Sequence, residues 1–292
     1  MKNKRNMNFG DIFIGILMLL ICFLALYPVW YTIIISFNDS SDAMRGGIYW
    51  FPRKFSLESY KTVFQDQSIL RAFGITILRT VIGTLCSVFF TAMVGYAFSK
   101  SHIKFNKFYR IMGTITMFFG GGLIPYFITI KNLGLYDNFL TYIIPSLFSF
   151  YNMIIFMSFF KELPVGLEES AKLDGANDFF IFIRIIIPLS APVIATIALF
   201  NGVWHWNDYF TGVMYINKAE LQPIQTYLYR IVASASASKS VVSMPAGIAA
   251  QQVNSTSVRL ATMVVTTAPI VCVYPFLQKY FVKGMMIGSI KG

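Results

Sequence analysis

Glu169-Ser170-Ala171-Lys172-Leu173-Asp174-Gly175-Ala176 is the stretch of this chain best equipped to act on something in water. Nine residues then separate Gly175 from Ile185-Ile186-Ile187-Pro188. Leu163-Pro164 closes the preceding helix, because the residue before a proline is pushed out of helical geometry. A short helix then starts near Leu167. Glu168 and Glu169 in its first turn suit the positive end of the helix dipole, and Glu168 and Lys172 stand at the favourable i,i+4 spacing. Gly175 fits a helix-ending position that wants positive φ. Asn177 fits the N-cap of a second helix over 179–187, with Asp178 in its first turn. Ser170, Ala171, Gly175 and Ala176 are small enough for another surface to approach closely. The chemistry is recognition, not bond-making. The segment reads either as a docking device or as an ordinary amphipathic loop.

The elements that hold this segment are apolar. Of 292 residues, 56% are hydrophobic and 13% charged, about half the charged share of a soluble domain; mean hydropathy is +0.61. The net charge of +11 does not mark a nucleic-acid binder, because the basic residues fall between hydrophobic runs and not on one polar face. Cys22, Cys86 and Cys272 lie far apart in apolar runs and read as small buried hydrophobes. His102 and His205 have no His or Cys nearby to share a metal. No Gly-x-x-x-x-Gly-Lys-Ser/Thr occurs, so no P-loop binds ATP here. A nucleophile–base pair is also missing, which argues against an enzyme.

A bilayer-spanning helix needs about 20 mostly apolar residues. Six stretches qualify, at about 12–37, 72–98, 111–130, 138–160, 185–216 and 260–282. The first is too long and uncharged for a secretory signal. The second contains Arg79, which either pairs internally or snorkels. The third is broken by Gly120-Gly121-Gly122 and Pro125; the fourth contains Pro145, the fifth Pro188, Pro192 and Asp208, and the sixth Pro269 and Pro275. So many breakers suggest a bundle with an internal path. Lys/Arg clusters at Lys2, Lys4 and Arg5, at Lys100, Lys104, Lys107 and Arg110, and at Lys279, Lys283 and Lys291 alternate correctly for one side, taken as cytoplasmic. The 161–187 loop falls on that side with both termini. Segments 38–71 and 217–259 fall outside; the latter is too polar to span, and it contacts something or is partly disordered. The fold class is therefore all-α membrane protein, one permease-like domain over 1–292.

The loop spacing resembles the EAA loop of binding-protein-dependent ABC import permeases: Glu-Ala-Ala, two or three residues, Gly, nine residues, Ile-x-Leu-Pro. Here Ser170 replaces the first Ala and Ile187 the Leu. Trp206-Asn207-Asp208-Tyr209 resembles span five of maltose-type carbohydrate permeases, and Gly288-Ser289-Ile290-Lys291-Gly292 resembles the tail of their second permease subunit. Gly120 to Pro125 with Leu133-Gly134-Leu135 resembles the lipoprotein-operon and alginate-like branch for larger oligosaccharides.

The resemblance implies a type I importer fold with six spans and a cytoplasmic coupling helix. It implies a second six-span permease, two ATPase subunits that bind ATP and Mg, a solute-binding protein, and an oligosaccharide cargo, polysaccharide-derived oligosaccharides included. It places the chain in a bacterial cell membrane with no cofactor of its own. Carried over, Glu169 contacts the ATPase, Ala171 and Gly175 are close-packing positions, and Gly288 and Lys291 reach between the ATPase subunits. Ser170, Lys172, Leu173, Asp174 and Ala176 complete the docking segment. The outer segment before span six corresponds to the loop that probes the binding protein, elongated here around 232–253. Oligosaccharide sites combine aromatic faces with polar partners, so Tyr151, Asn152, Trp204, Trp206, Asn207, Asp208 and Tyr209 are the candidates for the path; interfacial belt or packing is the plainer reading of the aromatics. The competing functions are an importer of an amino acid, phosphonate or polyamine, and a self-sufficient secondary transporter. The scarcity of acids in the spans counts against proton or sodium coupling.

Overall fold

The computed structural model describes residues 9–43, 45–100, 103–239 and 257–272. The described residues are helical, without a named strand; Asn38 and Phe55 form an isolated antiparallel bridge. They divide into two units, one within 1–67 and 230–268, the other within 68–229 and 269–292.

In the first unit, α1 (Phe9–Ser36) is uniformly apolar, and its most hydropathic window is wholly exposed. A helix that is apolar all round and uncovered by protein is built to be solvated by lipid. Ile34 and Ile35 at its end pack with Ile48. The turn after it is closed by α2 (Ser40–Ala43), where Arg53 pairs with the Asp42 carboxylate at 3.2 Å, and by α3 (Glu58–Gln65). Asn38 donates to that same Asp42 carboxylate, which holds its pKa below the ordinary value of 3.8.

The second unit is built on α4 (Gln67–Ser99), long and apolar enough to cross a bilayer. Its buried stripe is Ala72, Thr76, Arg79, Gly83, Ser87, Thr91 and Gly95. Steps of three and four put these on one face, and small or weakly polar residues let helices approach closely where lipid gives no hydrophobic drive. Gly83 shows why: a Cβ there would collide with the His205 ring.

The third predicted span is two helices, α5 (Asn106–Phe118) and α6 (Leu123–Asn132), bent by 114° at the triple glycine. The fourth departs from expectation. Residues 139–142 form a 3₁₀ turn, and α7 (Phe150–Lys161) starts only where Ser149 caps it. Twelve residues reach about 18 Å, so 138–160 is not one helix; Pro145 cannot donate into a ladder. The loop helix is α8 (Val165–Leu173), followed by α9 (Asp178–Ile181), a π turn over Phe182–Ile186 and α10 (Ile187–Leu189). An 84° bend then leads into α11 (Ala191–Asn207), and α12 (Phe210–Tyr215) follows. The segment after it carries α13 (Ile224–Lys239); residues 240–256 lie outside the described residues. The described residues of the predicted sixth span fall in α14 (Ser257–Cys272), most of which belongs to the first unit. The core of the second unit gathers Val88, Ala92 and Tyr96 of α4, Phe156 and Phe160 of α7, and Phe182 and Ile186 of the π turn. Cys22 and Cys272 lie on the surface, not buried, and Cys86 is half-buried.

Candidate functional site

The polar segment 169–176 is shaped by local rules. Gly175 adopts φ +82°. Its N–H reaches the carbonyl of Lys172 at 3.0 Å, and that of Ala176 reaches Ala171 at 2.9 Å. This is the paired 5→2 and 6→1 closure of a Schellman motif, which satisfies the last carbonyls of α8 and needs a residue tolerant of the left-handed region. Asn177 caps α9 by accepting from the Phe180 amide at 2.8 Å. Glu169, Ser170, Lys172, Leu173 and Asp174 are exposed, whereas Ala171 and Ala176 are half-buried against the core. Leu173 is 89% exposed, an apolar side chain standing off the end of the helix. Gly288 and Lys291 lie outside the described residues.

The expected Glu168–Lys172 pair does not form. Lys172 pairs with Asp178 across the turn at 2.9 Å, and this contact holds the Lys172 pKa above its ordinary 10.5. Glu168 pairs with Lys100 at the end of α4. An i,i+4 pair is worth only about 0.2–0.5 kcal/mol, so a tertiary partner displaces it easily.

The aromatic–polar run 204–209 is divided among three environments. Trp204 faces a cavity of about 720 Å³. Tyr126, Tyr142, Phe210 and Tyr215 supply further aromatic wall, and Thr129, Ser146 and Thr211 supply hydroxyls. Its floor is the Gly120–Gly122 bend. No charged side chain is among the lining residues. Trp206 is instead half-buried near Phe73, with ring centroids 6.5 Å apart, and the Asn207 amide bonds back to Val203 at 3.0 Å. Tyr209 stacks on Tyr229 at 4.8 Å. Tyr151 is exposed and Asn152 buried on α7, and neither lines the cavity.

Asp208 meets Arg79. The guanidinium donates to the Asp208 carboxylate at 2.6 Å and to its carbonyl at 3.0 Å. The Arg79 side chain is fully buried and lies 4.2 Å from the centre of the Tyr142 ring. The other Asp208 oxygen accepts from the Thr211 amide at 3.1 Å, which fixes the break between α11 and α12. A charge inside a bilayer span persists when paired and turned inward; Arg79 pairs and does not snorkel. The pair touches two lining residues, the Tyr142 ring and the Thr211 amide, and so braces the cavity wall. Sequence reasoning had both charges in hand but not their partnership, and it missed Tyr126, Tyr142, Phe210, Thr211 and Tyr215; the signal within reach was the Gly120–Gly122 break, which forms the floor.

Helices long and apolar enough to cross a bilayer, with a helix break lining a cavity, define an α-helical membrane protein. The chain belongs to the family of binding-protein-dependent transport system inner membrane components, whose model matches residues 97–287. It is 39% identical to Protein LplC of Bacillus subtilis, over 92% of this chain and 90% of that one. It is 37% identical to the polygalacturonan/rhamnogalacturonan transport system permease protein YtcP of the same organism, over the whole of both chains. In structure it is similar to a chain in the crystal structure of a bacterial ABC transporter involved in the import of the acidic polysaccharide alginate. That match has a TM-score of 0.85 and 28% identity, covering 95% of this chain and 100% of that one.

Proposed function

We infer that this chain is a permease subunit of an ATP-driven importer that carries oligosaccharides, including fragments of plant or algal polysaccharides, across a bacterial inner membrane. One observation carries the reading. The Gly175-capped turn presents Glu169 and Leu173 outward, within a chain related over nine-tenths or more of its length to oligosaccharide and polysaccharide transport permeases. A charged, exposed turn on an otherwise bilayer-solvated molecule needs a water-phase partner. An ATPase that closes on ATP provides one, and α8 is the coupling helix that follows it. The permease has six spans: α1, α4, the bent α5–α6, the segment ending in α7, the bent α9–α11, and the span begun by α14. Basic residues place both termini and the α8 turn in the cytoplasm.

Transport then follows as a rigid-body switch biased from outside the chain. Two ATPase subunits hold ATP and Mg, a second six-span permease completes the bundle, and a solute-binding protein delivers cargo from outside. The cavity suits a sugar: aromatic faces meet the C–H faces of the ring, and hydroxyls meet hydroxyls. Gentle detergent purification of the tagged protein, with mass spectrometry of what co-purifies, tests the reading. A second permease and an ATPase are expected. A stable lone chain or homodimer without ATPase refutes it in favour of a self-sufficient transporter.

A further inference from the structure

Glu168 does not face the water with its neighbour Glu169. It pairs with Lys100, the residue that follows the last turn of α4, and both side chains are mostly buried, 18% and 17% exposed. The Lys100 ammonium also lies 4.1 Å from the centre of the Tyr96 ring. Tyr96 is buried and stacks on Phe182 at 5.4 Å with planes 27° apart, and it meets the Phe160 edge at 6.2 Å. Phe182 opens the π turn that leads to the 84° bend, and Phe160 lies in the last turn of α7. A continuous column of contacts thus runs from α8, through Lys100 and Tyr96, to Phe182 at the start of the π turn that precedes the bend. Beside it a cleft of about 240 Å³, lined by Lys100, Asp178 and Phe179, leaves the seam between α4 and α9 loosely packed.

Simple anchoring of α8 would not need this arrangement. Ala171 and Ala176 already pack α8 and its turn against the core, and Lys172–Asp178 already ties the turn together. The Lys100–Glu168 pair adds a directional link from the docking helix to a different spanning helix. π turns inside helices recur at functional sites, where the ladder can shift register. A cation held at once by a carboxylate and by a ring face in a half-dry seam resists separation more than an exposed pair does.

We propose that the Lys100–Glu168 pair, seated on Tyr96, is a positioning latch that transmits movement of α8 to α4 and to the π turn. Glu168 and Lys100 are thereby separated in role from Glu169. Glu169 meets the partner, whereas the latch carries the displacement inward. This rests on the reading of α8 as the coupling helix.

The test is a charge-reversal cycle in the assembled complex, reconstituted with its ATPase, second permease and binding protein. Wild-type assembly and ATP-dependent uptake are checked first, and their absence would overturn the proposed function and not the latch. Coupling energies between sites commonly amount to about 5- to 150-fold. Lys100→Glu and Glu168→Lys are each expected to lower sugar moved per ATP hydrolysed by about tenfold, with ATPase subunits still co-purifying. Lys100→Glu combined with Glu168→Lys should restore the ratio to within about threefold of wild type, and Lys100→Arg should keep it. Normal coupling in the single reversals overturns the latch, as does a double variant no better than either single. Loss of the ATPase subunits from the single variants also overturns it, because the two residues would then belong to the docking surface itself.

Discussion

Asp208→Asn removes a charge while keeping the shape of the side chain, and its cost can be worked from the contacts around Arg79. The substituted amide still has an oxygen to accept from Thr211, so the cap between α11 and α12 survives. The 3.0 Å bond from Arg79 to the residue 208 carbonyl is untouched, and so is the Tyr142 ring at 4.2 Å. What is lost is the carboxylate charge 2.6 Å from a fully buried guanidinium. Leaving one member of a buried pair uncompensated costs about 3–5 kcal/mol. The retained carbonyl and ring put the expectation at the low end, about 3 kcal/mol. For a chain of this size each kcal/mol moves the thermal midpoint by about 2–4 °C, so a drop of about 6–12 °C is expected. Asp208→Ala also deletes the cap and should cost about 1 kcal/mol more. The decisive variant is Arg79→Met with Asp208→Asn. Replacing a buried pair by apolar or neutral groups is often close to neutral, so the double variant should recover most of the loss. The assay is the thermal midpoint of detergent-purified protein, followed by size-exclusion fluorescence. A change under about 2 °C for Asp208→Asn, or a double variant as unstable as the two singles summed, would refute a desolvated pair bracing the cavity wall.

Glu169→Lys should abolish uptake while leaving expression and membrane insertion intact; normal uptake would sink the docking role of Glu169. Trp204→Ala should slow oligosaccharide uptake by about fivefold, the size of a lost ring contact of about 1 kcal/mol, whereas Trp206→Ala should leave uptake rate and cargo range nearly unchanged. Equal effects from the two tryptophans, measured with labelled sugar, would remove the cavity from the path. Gly83→Ala drives a Cβ into the His205 ring and should lower stability by about 1–3 kcal/mol, read as the thermal midpoint. Asp137, outside the spans, accepts from the amides of Lys218 at 2.8 Å and Asn217 at 2.9 Å, and those bonds depress its pKa below 3.8. A depressed folded-state value means the stabilisation is present above the ordinary carboxylate pKa and is lost as pH falls through the depressed one. Asp137→Ala should therefore be less stable than wild type at neutral pH and at about pH 5, with the gap closing only below the ordinary value.

What the sequence makes legible follows the range of the forces involved. The turn after α8 is readable because caps are decided within five residues: a glycine able to take φ +82° and an asparagine able to reach the third amide specify it almost alone. That long apolar helices lie at α1 and α4 is readable because a long apolar run has no other low-energy use. The same count does not show that 138–160 is broken into a 3₁₀ turn and a twelve-residue helix, because hydropathy registers composition and not hydrogen bonding. That stretch is apolar enough to span, but Pro145 interrupts the ladder and helix forms only after Ser149.

Charge partnerships fail for a different reason. Arg79 and Asp208 are 129 residues apart, and sequence spacing says nothing about which buried charges converge. Glu168 offers a sharper lesson, since a local rule did assign it a partner. The rule is correct for an isolated helix, where Lys172 is the nearest cation. In the folded chain α8 lies against the end of α4, and Lys100 arrives already positioned over Tyr96. A solvent-exposed i,i+4 pair cannot compete with a cation whose desolvation is shared with a ring face. The residues that local rules misassign are thus the ones held by tertiary structure, and in a protein whose helices move against one another those contacts are the natural place for a moving joint. Glu168 departs from its local pairing where α8 meets the end of α4, the place at which the proposed latch acts.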